Sequence, residues 1–388
     1  MKLQCDITLP PSKSESNRAL MIAAYGGFVP EVVNLSDSRD TQVLEMALRK
    51  ADQGASVIDI ADCGTAARFM TTFLASRKGD SLLTGSGRMK QRLIKPLVEA
   101  LWHLGADIQY AEKEGFLPLK IHGKPLTGGK VSVDMTHSSQ FASSLLLAAP
   151  MWSLGLEMEL FGDLSSLPYL EMTLDMMCHF SAQAERRGRR VVVPPKPYQS
   201  QPFTVEPDWS AASYWYEMAA FSEECNIKLR FLSPEPVEGS KSRPMLQGDS
   251  IIAEWMKPLG VGTFVDGSDL ILRKIPCEKR PLQFDFFPHP DLYPTMAAIC
   301  AGQHVDAHFT GLDNLHLKES DRVEAMQMEL AKLNENPIRF CAHNDHRIVM
   351  ALAPLSMLVG PVTFDHPEVV EKSYPGFWKD ASFLPSWQ

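Results

Sequence analysis

The sequence predicts an α/β fold built from six repeats of strands and helices. Its composition is typical of a globular protein, with 45% hydrophobic and 22% charged residues. A short helix of small and apolar residues recurs six times, and a strand follows each one. Between several of these helices lies a second, amphipathic helix, of which 96–106 is the clearest because Gly105 is placed as its C-cap. Each repeat therefore reads strand, helix, strand, helix, strand.

Polar or acidic residues introduce each of the six apolar helices. These openings are 14–18, 62–68, 136–140, 208–211, 290–292 and 344–347, and three of them end on arginine. Since the helices have almost no polar face, we expect them to be buried with the sheets outside. The first and fifth intervals between openings are shorter than the others, which predicts that the first and fifth repeats are abridged.

Length, charge and cysteine content limit the class of protein. A chain of 388 residues exceeds a comfortable single core and predicts two domains. The net charge of −9 disfavours nucleic acid, so basic groups for an anionic ligand must be concentrated locally. Seven scattered cysteines without a CxxC pair indicate a reducing compartment. Because the sequence has neither an apolar signal segment nor a membrane-spanning stretch, we expect a cytoplasmic protein. We expect a surface loop at 233–244, which is rich in proline, serine and charged residues.

The first opening combines hydroxyls with two cations, Lys13 and Arg18, at the start of a helix. The first backbone N–H groups of a helix lack internal partners and attract anions. An ordinary capped helix with solvated basic residues is the simpler alternative. Because similar openings recur along the chain, we favour an anion site.

Seven cations lie in or beside turns, and arginine forks match phosphate and carboxylate oxygens. They are Lys13, Arg18, Arg92, Lys318, Arg322, Arg347 and Lys372. If they converge, they suit two small ligands that carry phosphate and carboxylate groups, with each charged hydrogen bond contributing about 1.5–3 kcal/mol.

Two carboxylates stand among these cations. Asp291 and Glu319 should both be ionised by the neighbouring positive charge, which suits a base more than an acid. The simpler alternatives are a helix N-cap for Asp291 and a surface ion pair for Glu319. The pair His343 and His346 lacks further ligands at metal spacing, so we predict no metal.

Eight segments in one order resemble the 5-enolpyruvylshikimate-3-phosphate (EPSP) synthase family of enolpyruvyl transferases. PSKSESNR, GTAAR, LTGSGRMKQR and SSQF are similar to family motifs. These segments and four more lie at 11–18, 64–68, 83–92, 138–141, 162–169, 317–322, 344–347 and 372–375. The resemblance implies a two-domain inverse α/β barrel of βαβαββ repeats, three in each domain. The implied domains are 12–206 and 1–11 plus 207–388, with the active site in the cleft between them.

The family transfers the enolpyruvyl group of phosphoenolpyruvate to the 5-hydroxyl of shikimate 3-phosphate and releases phosphate. The resemblance implies no cofactor, no nucleic acid or membrane partner, and a monomer. It implies shikimate 3-phosphate binding by Ser14, Arg18, Ser138, Ser139, Gln140, Ser166, Tyr169, Asn314 and Lys318. It implies phosphoenolpyruvate binding by Gly64, Arg92, Arg322, Arg347 and Lys372. Lys13 and Gln140 would reach both ligands, Asp291 would be the base, Glu319 would protonate the enol methylene, and His346 would lie beside the departing phosphate.

Some features keep alternatives open. Asp62 stands where the family usually has asparagine, and it brings negative charge near the phosphoenolpyruvate site. The residues Leu292-Tyr293-Pro294 replace the smaller residues that usually follow the base in the family. A transferase acting on UDP-N-acetylglucosamine would use a cysteine in the segment 85–92, where this chain has none. A catalytically impaired anion-binding relative and a non-enzymatic scaffold are the remaining alternatives. Gly64 matches the small residue that the family links to glyphosate sensitivity, which predicts inhibition by glyphosate in competition with phosphoenolpyruvate.

Overall fold

A computed structural model describes residues 1–232, 246–277 and 280–385. The predicted surface loop at 233–244 falls outside these residues. The chain forms two compact units: an N-terminal unit, Lys13–Val205, and a C-terminal unit, Met1–Ser12 with Glu206–Gln388. The predicted domain limits differ from these by one residue at each end. Among the helices described, none has the length and apolar character that crossing a membrane requires.

Helices are interspersed with single strands and with runs of two or three strands along the described chain. The helices are α1 (Lys13–Gly26), α2 (Arg39–Asp52), α3 (Gly64–Ala75), α4 (Lys95–His103), α5 (Ser139–Ala148), α6 (Leu167–His179), α7 (Trp209–Phe221), α8 (Ile252–Trp255), α9 (Tyr293–Gln303), α10 (Arg322–Leu330), α11 (His346–Leu352), α12 (Ser356–Val359) and α13 (Phe377–Asp380). The strands are β1 (Lys2–Ile7), β2 (Val32–Val33), β3 (Val57–Asp59), β4 (Gly79–Thr84), β5 (Asp107–Tyr110), β6 (Leu119–Gly123), β7 (Gly129–Asp134), β8 (Leu156–Phe161), β9 (Glu185–Arg187), β10 (Arg190–Val193), β11 (Phe203–Thr204), β12 (Glu224–Leu229), β13 (Val261–Asp266), β14 (Asp269–Lys274), β15 (Leu282–Asp285), β16 (Ala307–Thr310), β17 (Ile338–Phe340) and β18 (Val362–Phe364).

Three repeats are complete and share one sheet topology. The strand orders are β3-β4-β6-β5, β7-β8-β10-β9 and β1-β12-β14-β13. In each sheet the first two strands are parallel, and the other pairs are antiparallel. An apolar helix lies between the two parallel strands in the first two sheets. In the third sheet the apolar helix directly precedes the second strand. The third sheet takes its first strand from the start of the chain, where Lys2 lies opposite Glu224 and Ile7 opposite Leu229.

The other three repeats are abridged to a parallel pair of strands. These pairs are β11 with β2, β15 with β16, and β17 with β18. Abridged first and fifth repeats were predicted from the short intervals. The sixth repeat is also abridged, which the intervals could not indicate because no further opening follows it.

The apolar helices are buried, as predicted. All thirteen residues of α7 and all seven of α11 are buried. In the N-terminal unit α1, α3 and α5 pack against one another, and in the C-terminal unit α7, α9 and α11 do the same. Each of the two units therefore has a helical core, and its sheets lie outside that core.

The helical core of the C-terminal unit contains one carboxyl group that the apolar pattern of its helices did not predict. Glu217 of α7 is 0% exposed, and within residues 1–232, 246–277 and 280–385 neither of its carboxyl oxygens has a hydrogen-bond partner. Burial raises the pKa of Glu217 well above its usual value. Burial therefore favours the neutral, protonated form of this carboxyl in the folded protein.

We expect Glu217→Gln to change how stability depends on pH. A carboxyl whose folded-state pKa is raised stabilises the fold fully below its unfolded pKa of about 4.3, and this contribution is lost as pH rises. The wild-type free energy of unfolding should therefore fall relative to that of Glu217→Gln between pH 5 and pH 8, by up to about 1.4 kcal/mol per pH unit. Denaturant unfolding at several pH values measures this difference.

The matched control is Glu335→Gln, because Glu335 is exposed. Its unfolding free energy should run parallel to that of the wild type at every pH. A constant difference between wild type and Glu217→Gln across this range would contradict the assignment of a buried, protonated carboxyl.

Candidate functional site

Lys13 opens α1 and forms an ion pair with a residue that the sequence analysis did not select. Its Nζ lies 3.0 Å from Oδ2 of Asp40 in α2, and the two side chains are 14% and 7% exposed. A pair this shielded from water is electrostatically stronger than a surface pair. Asp40 therefore fixes the ammonium group of Lys13 at the first turn of the helix.

Arg18 is buried one turn further along α1. Its Nε donates to Oγ1 of Thr173 at 2.7 Å, and its two Nη atoms donate to the backbone oxygens of Ser14 and Tyr169 at 2.9 Å each. Burial lowers the pKa of Arg18 to about 10, so the group stays charged at neutral pH. Since these three acceptors are uncharged, they orient the guanidinium without neutralising it.

The polar openings of α5 and α6 lie in the same unit. Ser138 caps α5 by accepting a hydrogen bond from the backbone N–H of Gln140, and Nε2 of Gln140 donates to Oγ1 of Thr65 at 3.1 Å. Ser139 follows as the first residue of α5 and is buried. Ser166 precedes α6 with a φ of 55°, a left-handed conformation that costs energy for a residue other than glycine.

Gly64 and Arg92 are in direct contact at the start of α3. A Cβ atom placed on Gly64 would lie 2.6 Å from an Nη atom of Arg92, so any other residue at this position would shift the guanidinium. Arg68 braces both segments, because its Nη atoms donate to the backbone oxygens of Gly64 at 3.1 Å and Leu93 at 2.9 Å. Asp62 is exposed and accepts a hydrogen bond from the Ser86 hydroxyl.

In the C-terminal unit the buried guanidinium of Arg322 binds three carboxylates. Its Nε lies 2.8 Å from Asp345, one Nη lies 2.8 Å from Asp291, and the other lies 3.0 Å from Glu319. Arg322 is 1% exposed. Burial lowers its pKa, but Asp345, Asp291 and Glu319 outweigh burial and raise that pKa above its usual value.

Both oxygens of Asp291 face cations. Oδ1 accepts from Arg322 and lies 3.8 Å from Nζ of Lys318, and Oδ2 accepts from Arg347 at 2.7 Å. Burial raises the pKa of Asp291, but the charges of Arg347, Lys318 and Arg322 outweigh burial and hold this pKa well below its usual value. The carboxylate is therefore ionised, as predicted from the sequence.

Glu319 lies between two cations. Its Oε2 accepts from Arg322, and its Oε1 lies 3.6 Å from Nζ of Lys372, whose side chain is 11% exposed. Lys318 precedes Glu319 directly, and Asn314 adjoins the 3₁₀ turn Leu315–Leu317 that leads to them. The structure thus gathers the predicted acids and cations of the C-terminal unit in one cluster.

Two of the simpler alternatives are wrong. Asp291 lies inside the 3₁₀ turn Pro290–Leu292, the following helix has Leu292 at its N-cap position, and the Asp291 carboxylate binds side chains instead. Glu319 is not in a surface ion pair, since its side chain is 14% exposed and that of Arg322 is 1% exposed. His346 is buried beside Asp345, with 3.8 Å between Nδ1 and Oδ1.

Sequence reasoning missed several residues that hold the predicted ones in place. They are Asp40, Thr173, Ser210, Asp249 and Asp345. Asp345 and Ser210 lie within predicted openings, so their position was a usable signal. Asp40, Thr173 and Asp249 carry no signal in the sequence, because only the fold brings them to Lys13, Arg18 and Ser210.

Comparisons with known proteins agree on one family. The family model described as EPSP synthase (3-phosphoshikimate 1-carboxyvinyltransferase) matches residues 48–381. A 3-phosphoshikimate 1-carboxyvinyltransferase from Bacteroides fragilis (strain YCH46) is 41% identical, over 98% of this chain and 95% of the relative. One from Syntrophobacter fumaroxidans (strain DSM 10017 / MPOB) is 32% identical, over 99% of this chain and 98% of the relative.

A solved structure shares the fold. The structure of EPSP synthase from Acinetobacter baumannii at 2.37 Å matches with a TM-score of 0.72 and 20% identity, over 99% of this chain and 96% of that one. The model match, the identity of the relatives and the fold agree with the order of the motifs along the chain. The chain therefore belongs to the EPSP synthase (3-phosphoshikimate 1-carboxyvinyltransferase) family.

Proposed function

We infer that the chain transfers the enolpyruvyl group of phosphoenolpyruvate to the 5-hydroxyl of shikimate 3-phosphate and releases phosphate. Family membership supports the reaction. The observation that carries the chemistry is the ionised carboxylate of Asp291 between Arg322 and Arg347. Such a group is both a base and a neighbour of cations that attract phosphate and carboxylate.

In the N-terminal unit we propose two sets of binding residues. The set for shikimate 3-phosphate is Ser14, Arg18, Ser138, Ser139, Gln140, Ser166 and Tyr169. Gly64 and Arg92 would hold phosphoenolpyruvate, with Lys13 contributing to both ligands and to catalysis. The uncharged acceptors around Arg18 support its role, because they leave its positive charge for a phosphate.

In the C-terminal unit we propose that Asn314 and Lys318 hold shikimate 3-phosphate. Arg322, Arg347 and Lys372 would hold phosphoenolpyruvate. Because Arg322 already binds three carboxylates, it contributes less net charge to a ligand than Arg347 or Lys372 does. The last two cations are therefore the principal groups for the incoming anion in this unit.

The low pKa of Asp291 makes it a weak base before substrates bind. An anion that binds Arg347 offsets part of the positive charge beside Oδ2, and the pKa of Asp291 then rises. A base with a higher pKa takes the proton of the 5-hydroxyl more readily. Substrate binding thus makes Asp291 a stronger base before the proton of the 5-hydroxyl is transferred.

Glu319 is proposed to donate a proton to the methylene carbon of phosphoenolpyruvate. That carbon becomes a methyl group, C2 becomes an oxocarbenium-like centre, and the 5-hydroxyl oxygen bonds to C2 as Asp291 accepts its proton. The C2–O bond to phosphate then breaks, and the phosphate leaves with the proton that Asp291 had accepted. Glu319 takes back a methyl proton to leave the enol ether. Since Arg322 and Lys372 favour the ionised form, Glu319 must gain its first proton when the substrate anions offset their charge.

Several expectations stay predictions. They are the monomeric state, the cytoplasmic location and a reaction without metal or organic cofactor. The acceptor UDP-N-acetylglucosamine is disfavoured because the segment 85–92 has no cysteine. An impaired relative would bind both substrates but release no phosphate.

We expect Asp291→Asn and Glu319→Gln each to lower kcat by about 10²- to 10⁴-fold, because each substitution removes one general acid or base but keeps the size of the side chain. Phosphate release in the presence of both substrates measures kcat. The matched control is Asp313→Asn, which changes an exposed carboxylate near the same segment and should keep wild-type turnover.

Equal turnover in wild type, Asp291→Asn and Glu319→Gln would remove both catalytic assignments. A wild-type protein that binds both substrates but releases no phosphate would instead identify the impaired relative.

Gly64→Ala should raise the KM for phosphoenolpyruvate by about tenfold, or about 1.4 kcal/mol of binding free energy. The new methyl group would displace the guanidinium of Arg92, which it meets at 2.6 Å. The KM for shikimate 3-phosphate should change much less. Steady-state kinetics with each substrate varied in turn measure both constants.

Gly87→Ala is the matched control, because a Cβ atom there meets nothing within 4 Å. Both KM values of this variant should equal those of the wild type. If Gly64→Ala leaves the KM for phosphoenolpyruvate unchanged, Arg92 does not bind that substrate through the position described.

A further inference from the structure

Asp249 lies behind the cations of the C-terminal unit and has no role in the proposed reaction so far. It belongs to the 3₁₀ turn Gly248–Ile251 and is 3% exposed. The neighbouring Gln247 fixes this turn to the start of α7. Its Oε1 accepts from the backbone N–H of Trp209 at 2.9 Å, and its Nε2 donates to the backbone oxygen of Pro207 at 2.8 Å.

A hydrogen-bonded chain links Asp249 to Asp291. The hydroxyl of Ser210 donates to Oδ2 of Asp249, and the same serine oxygen accepts from Arg347 at 3.4 Å. The Nη atom of Arg347 that reaches Ser210 also donates to Oδ2 of Asp291 at 2.7 Å. One guanidinium nitrogen is thus shared between the proposed base and this serine.

We propose that Asp249 is a positioning residue for Arg347: its carboxylate holds the Ser210 hydroxyl so that the serine oxygen accepts from Arg347. This inference rests on the proposed function. A serine hydroxyl carries one hydrogen and two lone pairs. While Asp249 is ionised it can only accept, so the Ser210 hydrogen points to it and a lone pair faces Arg347.

Protonation of Asp249 reverses this arrangement. The protonated carboxyl can donate to Ser210, whose own hydrogen then turns toward Arg347 and is repelled by its charge. Burial and, to a smaller extent, the charge of Asp291 raise the pKa of Asp249, whereas Arg347 and the Ser210 hydrogen bond lower it. The net effect is a pKa of about 6. The charged groups that face Asp249 are Asp208 before α7, Asp291 before α9 and Arg347 of α11. The support for Arg347 therefore increases gradually as pH rises through about 6 and is lost gradually as pH falls through it.

The test is the KM for phosphoenolpyruvate of wild type and Asp249→Asn between pH 5 and pH 8, measured by phosphate release. Asp249→Asn has two opposing effects on this KM. Loss of a negative charge alone would strengthen binding of an anion and lower the KM. Loss of the serine orientation would raise it, and we expect this second effect to dominate, by about tenfold at pH 8.

The ratio of the variant KM to the wild-type KM should fall toward 1 at pH 5, because wild-type Asp249 is then neutral as well. A phosphate monoester has a second pKa near 6, and its ionisation changes the KM of both proteins equally, so the ratio isolates Asp249. An unchanged or lowered KM at pH 8, or a ratio independent of pH, would overturn the proposal.

Ser210→Ala and the double variant test the route through the serine. Ser210→Ala should raise the KM as Asp249→Asn does. The KM of the double variant should be no higher than that of either single variant, because the effects of substitutions within one hydrogen-bond network are not additive. Additive effects would overturn the route. If Asp249→Asn does not fold, the wild-type to Ser210→Ala ratio across the same pH range decides. If the wild type releases no phosphate at any pH, the proposed function fails separately, and calorimetric titration of the same proteins with phosphoenolpyruvate tests the positioning role.

Discussion

The buried guanidinium of Arg322 is the constraint on which the C-terminal cluster depends. It is 1% exposed and binds Asp345, Asp291 and Glu319 at once. Three carboxylates at this depth would repel one another and lose their hydration without it, and breaking such a buried pair typically costs about 3–5 kcal/mol. Because Arg322 offsets these carboxylates, Arg347 and Lys372 keep positive charge for a ligand. The charge of Arg322 thus supports the ligand-binding role that we propose for the neighbouring cations.

Much of the fold follows from the sequence for a simple reason. Helices such as α7 and α11 have no polar face, so burial is their only stable environment, and the periodic openings then define the repeats. The abridged first repeat was visible because the next opening gave a distance to compare. The abridged sixth repeat was not, since no further opening follows it to give such a distance. The pairing of β1 with β12 joins residues more than two hundred positions apart, and local pattern does not report such contacts.

The candidate site was predictable to the extent that its residues lie in openings. Asp291 and Arg347 were selected this way. Glu319 lies outside the openings and was selected because cations flank it in the sequence. The structure brings all three residues together with Arg322. Asp40 and Asp249 were missed because their importance lies in contacts with Lys13 and Ser210, not in their sequence surroundings. A residue that acts by holding another carries a local signal only where it also lies in an opening, as Asp345 and Ser210 do.

The abridged repeats also show which part of a repeat the site requires. β15 with β16 and β17 with β18 form only parallel pairs, yet α9 and α11 between them still present their openings. The antiparallel strands of a complete repeat, such as β13 and β14, are therefore not needed to form such an opening. The turn between β13 and β14 at Gly267 is a suitable place for an affinity tag or a fluorescent label, because Gly267 is exposed and a Cβ atom there meets nothing within 4 Å.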